Sequence, residues 1–138
     1  MGFAVPAGFE PLPARGGFEE VIGPIHVKQV DGAYVCGVAA EPRHANRRGV
    51  IHGGMLISLA DHTLGMIVSH ALERQPCATI SLNTDFLSSA RAGDWIECRG
   101  RITRATRSLV FITGELRVGD RLIATATGIW KKLAAPGG

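Results

Sequence analysis

The sequence predicts an α+β domain in which a curved antiparallel sheet of about six strands wraps one long central helix. Three observations predict it. From Met55 to Leu72 the chain has no Pro, a single Gly and apolar residues on nearly every face, the pattern of a helix buried all round. Beyond it, four stretches alternate apolar and polar residues with period two, the pattern of antiparallel strands with one face on a core. No second long helix competes for that core, so the strands must supply the walls around the first.

Taken in order, residues 1–16 are rich in Pro, Gly and Ala and are expected to form a flexible arm. Phe18 to Ile22 predicts a short helix ended by Gly23-Pro24. Ile25–Val30 and Ala33–Ala39 flank Asp31-Gly32, a dipeptide that favours a hairpin turn. Glu41 to Gly49 is a polar loop leading into the central helix, which must end before Pro76 because the residue before Pro avoids the helical region. In Ala78–Phe86, Ala78, Ile80, Leu82 and Phe86 alternate with Thr79, Ser81, Asn83 and Asp85. In Trp95–Thr103, Ile96, Cys98 and Ile102 alternate with Glu97, Arg99 and Arg101. Val110, Ile112, Leu116 and Val118 share one face of the next strand, and Leu122, Ala124, Ala126 and Trp130 one face of the last, with Gly119-Asp120 turning between them. The opposite face of the last strand, Ile123, Thr125, Thr127 and Ile129, predicts partial cover by another subunit. A disordered tail is expected over 134–138, which leaves one domain over 17–133 and no internal repeats.

Composition excludes several classes. With 46% hydrophobic and 20% charged residues in 138, the chain has enough apolar surface for one core. A net charge of +3 with only 6% aromatic residues offers no basic stripe or stacking platform for nucleic acid. Cys36, Cys77 and Cys98 are scattered, make no CxxC and predict buried free thiols in a reducing cytoplasm. The five histidines have no metal-ligand spacing, so no metal site is expected. The N-terminus lacks a basic and apolar leader, and Asp61, His62 and His70 argue against a membrane span through Met55–Leu72.

The chemistry concentrates in Asn46-x5-His52-Gly53-Gly54-x6-Asp61, inside GVIHGGMLISLAD, followed by TISLNTDFLSSARAGD. These stretches resemble the hotdog-fold acyl-CoA thioesterases of the phenylacetic-acid-degradation (PaaI-like) type, and the element order is similar from Phe18 to Lys132. The resemblance implies a sheet wrapping a helix, hydrolysis of acyl-CoA thioesters and an active site between two subunits of a dimer, commonly a dimer of dimers. It implies no separate cofactor, because coenzyme A is part of the substrate. By the same resemblance Gly54 offers its N–H to the thioester carbonyl, Asp61 is the base or nucleophile, and Asn46 holds the carbonyl or water. His52 orders the loop, and Thr79 places a hydroxyl near the attacking water. Gly53 and the turn Arg104, Arg107 and Ser108 are implied contacts for the substrate, the last three toward its nucleotide end; Arg47, Arg48 and Arg91 are further candidates.

The residues themselves support part of this. A helix start presents N–H groups without intrahelical partners and a partial positive charge, which suits an oxyanion. Glycines there admit a close ligand, although a tight turn would equally require them. Desolvation inside an apolar helix is expected to raise the pKa of Asp61, and a structural ion pair with His62 or an Arg is the competing account. Asn46 as a turn cap, Thr79 as an ordinary strand residue and the arginines as solvated loop charges are the corresponding plain accounts. Gly54 and Asp61 stand about 10 Å apart along one helix, which cannot easily supply both to one carbonyl, so the spacing favours a site shared by two antiparallel helices, in agreement with what the resemblance implies. Alternatives are a non-catalytic acyl-CoA-binding protein, a thioesterase for an acyl carrier protein, and a hotdog hydratase or dehydratase. The last is disfavoured because neither D-x-N-P-x-H nor H-F-P-G is present.

Overall fold

The computed structural model describes residues 4–134. Its elements are β1 (Glu10–Pro11), α1 (Phe18–Ile22), β2 (Ile25–Val30), β3 (Ala33–Ala39), a 3₁₀ turn (Pro42–His44), α2 (Gly53–Ala71), β4 (Cys77–Phe86), β5 (Trp95–Ala105), β6 (Leu109–Val118) and β7 (Arg121–Lys132). The strands make one antiparallel sheet of seven in the order β1-β2-β3-β5-β6-β7-β4, so β4 lies at the edge beside β7. Asp31 and Gly32 both take positive φ between Val30 and Ala33, as the two-residue hairpin turn requires.

α2 lies across the sheet because the sheet leaves room for it. Leu56, Leu59, Ala60, Thr63, Leu64 and Val68 form its buried face, and Val38, Ile96, Ile112 and Leu116 meet them from the strands. Leu64 enters a hole made by Gly100 and Gly114, which are cross-strand partners on β5 and β6. A Cβ on Gly114 would lie 2.8 Å from Leu64 Cδ2 and 2.9 Å from the Arg99 carbonyl oxygen. Trp130 similarly occupies the space over Gly65 of α2, where a Cβ would stand 3.3 Å from its Nε1. Within this core the Thr63 hydroxyl donates to the Leu59 carbonyl at 2.8 Å and adjoins the thiols of Cys36 and Cys98, register partners on β3 and β5. Burial pushes Cys36 up to about 11 and Cys98 up to about 12, only partly offset by Thr63.

Several expectations need correction. α2 is not buried all round: His52, Gly54, Ile57 and Asp61 are exposed, because the sheet covers one side of the helix only. The arm is not loose from Phe9 to Leu12. Phe9 packs edge-on against Trp95 with ring centroids 5.0 Å apart, β1 pairs with β2, and the Leu12 N–H donates to the Ile25 carbonyl at 2.8 Å. Of the expected tail, residues 135–138 lie outside the described residues.

Strand phases shift at bulges. Thr79 opposes Trp130 and Ser81 opposes Ile129, so Ile80 is an extra residue, 55% exposed and out of the expected inner face. The same slip puts Thr79 in phase with Leu82 toward α2. Ile123 is a second case. It was assigned to the outer face, yet it is fully buried, because Leu116 opposes Ala124 while Arg117 opposes Leu122, leaving it unpaired at a bulge.

Two outcomes follow. Gly114→Ala should cost about 1–3 kcal/mol in urea unfolding, and combining it with Leu64→Ala should lose less than the sum of the single changes, since the part of the clash that involves Leu64 is relieved while the contact with the Arg99 carbonyl remains. The folded thiols hold their protons above the ordinary value of 9.0, so above about pH 9 the unfolded chain releases protons that the native state keeps. Stability should therefore fall as pH rises from about 9 towards 11, and below 9 these groups should add no pH dependence. A Cys36→Ala/Cys98→Ala variant should show a shallower loss in the same denaturation series.

Candidate active site

The chain enters α2 through a tied loop. His44 is buried, its Nδ1 accepts the Glu41 N–H at 3.1 Å, and its carbonyl accepts the His52 N–H at 2.8 Å. Burial, and then the Arg43 charge, pushes His44 below the ordinary histidine pKa, so the ring serves as a neutral pin. The Asn46 N–H donates to the Val50 carbonyl at 2.8 Å, and the Ile51 N–H to the Ala90 carbonyl at 2.8 Å. Asn46 Oδ1 accepts the N–H groups of Arg48 at 2.9 Å and Val50 at 3.3 Å. That turn fixes which end of the amide is oxygen and leaves Nδ2 as an uncommitted donor.

At the start of α2 the donors are divided unevenly. His52 Nδ1 accepts the Gly54 N–H at 2.8 Å, and the His52 carbonyl accepts Met55 and Leu56 at 2.9 and 3.3 Å. Gly54, the donor singled out from sequence, is therefore already engaged in this chain. The Gly53 N–H has no partner among the described residues. The Phe86 ring lies close over Gly53: a Cβ there would stand 3.1 Å from Cζ, so any larger residue would have to displace the ring slightly.

Two turns further on, Asp61 is exposed, so the desolvation expected of it is not supplied by its own chain. The Thr79 hydroxyl donates to Asp61 Oδ1 at 2.7 Å. This charge-assisted bond orients the carboxylate and leaves Oδ2 and the Thr79 lone pairs free for a water. Beside Asp61 opens a cavity of about 450 Å³ with apolar walls from Phe18, Ile22, Ile57 and Leu82. His62, on an adjacent face, stands 3.4 Å from Glu19 and not against Asp61.

The structure thus brings Asp61 together with Thr79, and His52 together with Gly54, as two separate groups, while Asn46 is bonded within the preceding loop to Arg48 and Val50. Gly53 and Asp61 are eight residues apart, about 12 Å along one rigid helix. Arg104, expected in a turn, lies instead near the end of β5 opposite Phe111, while Arg107 and Ser108 occupy the exposed β5–β6 turn beside β7, where the Ser108 carbonyl accepts the Lys132 N–H at 2.9 Å. Neither arginine forms an ion pair among the described residues. Phe86 and Glu19 were not foreseen as part of the site. Phe86 was read as an inner strand residue, and Glu19 meets His62 only through tertiary packing, for which no local pattern exists. Among the described residues, no group of His, Cys, Asp or Glu is arranged to hold a metal, and no helix is long and apolar enough to cross a membrane.

The thioesterase superfamily model matches residues 48–125, more than half of the chain and the stretch holding Gly53, Asp61 and Thr79. The chain belongs to the thioesterase superfamily. It is 34% identical over 128 residues to a Pseudomonas aeruginosa protein that carries an esterase name, covering 91% of this chain and 96% of that one. Human acyl-coenzyme A thioesterase 13 is 27% identical over 110 residues, covering 78% of this chain and 79% of that one. Among solved structures, the phenylacetic acid degradation-related protein of Ralstonia eutropha JMP134 superposes with a TM-score of 0.70 at 33% identity, over 76% of this chain and 82% of that one. Zebrafish thioesterase superfamily member 2 does so with a TM-score of 0.77 at 26% identity, over 85% and 87%. The wrapped-helix sheet is thus the hotdog fold, and this thioesterase has the chemistry of a thiolester hydrolase. For such an enzyme, Asn46→Asp is a sharp probe: it keeps the oxygen that accepts the Arg48 and Val50 N–H groups and removes the Nδ2 donor. Its melting temperature should match wild type, while thioester turnover should fall about 100-fold.

Proposed function

We propose that the protein hydrolyses acyl-CoA thioesters to the free acid and CoA at a site completed by two subunits. Asp61 and Thr79 of one chain would face the Gly53 N–H and Asn46 Nδ2 of the other. The observation that carries this reading is that both half-sites lie on the open side of α2, yet are held about 12 Å apart in one chain. Two antiparallel copies of α2 would place each carboxylate opposite a helix start, and two-fold symmetry would make two such sites.

The edge of the sheet favours the same pairing. β4 has ten residues, bonds to β7 on one side only, and exposes Ile80 and Phe86, followed by Leu87. An unpaired edge with exposed apolar residues invites a second strand. Ile57 of α2, 37% exposed, adds to that surface. Thr113, Thr125, Thr127 and Ile129 on the outer face of the sheet offer the surface for a dimer of dimers. The acyl group would enter the cavity beside Asp61, and Arg104, Arg107 and Ser108 would meet the nucleotide end of CoA.

In this reading the carbonyl oxygen takes hydrogen bonds from Gly53 and Asn46 as it gains negative charge. Asp61, oriented by Thr79, either takes a proton from the attacking water and passes it to the departing CoA sulfur, or attacks the carbonyl carbon itself. The second route expels CoA and forms an anhydride that water then cleaves to the free acid and the regenerated carboxylate, the proton released from that water balancing the CoA thiolate. No cofactor is needed, since CoA arrives with the substrate. Free thiols at Cys36, Cys77 and Cys98 suit a reducing cytoplasm. The acyl-CoA assignment itself leans on relatives named as acyl-CoA thioesterases.

Asp61→Asn and Asp61→Ala should each lower kcat about 10²–10⁴-fold with a panel of acyl-CoAs, and unchanged turnover in both would overturn the assignment. Mixing Asp61→Ala chains with Asn46→Asp chains, each nearly inactive alone, should restore about a quarter of wild-type activity at random exchange, because half of the dimers then hold one intact site. Exchange without any recovery would show that the site does not span two chains.

A further inference from the structure

Between β4 and β5 the chain runs over residues 87–94, and its backbone is tied at three points. At the start, the Leu87 and Ser88 N–H groups both donate to the Ile123 carbonyl, at 2.9 and 3.2 Å, Ile123 being the residue that the bulge leaves without a β6 partner. At the end, the Gly93 N–H donates to the Ala40 carbonyl and the Ala40 N–H to the Asp94 carbonyl, both at 2.8 Å. In the middle, the Ala90 carbonyl accepts the Ile51 N–H at 2.8 Å, and Arg91 bridges to Val50. Ala90 and Ile51 are both buried. One side chain from outside spans this loop. The Arg121 guanidinium, at the start of β7, donates to Ser88 Oγ at 2.8 Å and to the Ser89 carbonyl. It also stands 3.9 Å from Asp94 Oδ2, the oxygen that accepts the Arg91 N–H at 2.8 Å. Ala90 thus lies between the two ends that one planar fork holds together.

Resting on the site proposed above, we infer that Arg121 is a positioning residue for thioester hydrolysis: by fixing the shape of the 87–94 loop it sets the aim of the Gly53 N–H at the substrate carbonyl. Gly53 follows Ile51 by two residues, and the intervening His52 has its N–H on the His44 carbonyl. A second path starts at the other end of the loop, because Phe86, immediately before Leu87, lies with its ring over Gly53. A shift of the loop therefore reaches the donor from two directions. Arg121 is not part of the wall of the cavity beside Asp61, so its influence passes through the backbone. Arg121 and Asp94 are 46% and 30% exposed, and an ion pair so open to water adds little to stability. Placement is the more exacting requirement. A donor must lie near 3 Å from the oxygen that gains charge and nearly in line with it. Misplacement by about 1 Å costs about 100-fold in rate.

The test uses Arg121→Gln, Arg121→Lys and Asp94→Asn. Each is compared with wild type in turnover of a medium-chain acyl-CoA and in the infrared band of a bound ketone analogue. In that analogue a methylene replaces the thioester sulfur, and the carbonyl carbon carries an isotope label. Wild type should move the band to lower frequency, since donated hydrogen bonds polarise the carbonyl. Arg121→Gln should lower kcat about tenfold with KM nearly unchanged, and should lose about half of the band displacement as the donor is misaimed. Arg121→Lys keeps the charge and a donor for the Ser89 carbonyl but not the fork, and should fall between the two. Asp94→Asn retains an oxygen for the Arg91 N–H while weakening the contact with Arg121, and should give a smaller change in the same direction. It decides the matter if Arg121→Gln does not fold. Partial unfolding reduces how much analogue is bound but not the frequency of what is bound, so the band separates positioning from a structural role. Wild-type kcat and a wild-type band in the folded variants overturn the inference. A band that stays undisplaced in wild type with the analogue bound removes the proposed donors themselves, and the inference with them.

Discussion

Everything in this fold depends on how near α2 can come to the strands, and glycine decides it. Gly100 and Gly114 face each other across β5 and β6, and Leu64 fills the space that their missing side chains leave. Gly65 does the same for Trp130 from the helix side. Because these contacts are fixed at the middle of the helix, its rotation about its own axis is fixed as well. Leu56, Leu59, Ala60, Thr63, Leu64 and Val68 must point at the sheet. Gly54, Ile57 and Asp61, separated from them by about 100° per residue, must then point away. The exposure of the face that carries Asp61 is thus a consequence of core packing and needs no separate device.

Two irregularities finish what the regular elements begin. The bulge at Ile80 changes the phase of β4 so that Thr79 reaches Asp61, where an unbroken strand would aim Ile80 instead. The loop from His44 to His52 bends back on itself through Asn46 and Val50, and delivers the chain to α2 with one helix-start donor capped by His52 and another, on Gly53, left open. Asp61 is thereby oriented by its bond from Thr79, and the start of α2 by the bonds of the loop before it, so in the proposed reaction little ordering would remain to be done when a substrate carbonyl arrives.

Much of this was legible in the sequence, and the failures have common causes. The Asp31-Gly32 turn, the extent of α2 and the alternation along β6 are local signals, and local chemistry settles them. Phase errors at Ile80 and Ile123 arose because a bulge adds one residue without any compositional mark. Phe9 on Trp95 and Glu19 on His62 are pairs distant in sequence, invisible to periodicity. Asp61 looked buried because Ile57 and its neighbours are apolar on a face the chain leaves open. Gly54 looked like the free donor because the reach of the His52 ring back onto it is a rotamer, and no sequence pattern specifies one.

The open face of α2 carries a cost of its own. A helix apolar on all sides is costly in a monomer, since Ile57 in water gives up stabilisation that burial would supply. The cost vanishes if a second copy covers that face. The same covering would desolvate Asp61, bring the partner's helix start opposite the carboxylate and remove water from around the reacting carbonyl, where electrostatic contacts strengthen. In the proposed dimer one surface would therefore meet three requirements: association, a dry site and complementary chemical groups. A chain that kept Asp61 but lost the apolar residues beside it would retain the carboxylate and Thr79 in register, yet lack the environment in which a hydrogen bond from Gly53 counts for most.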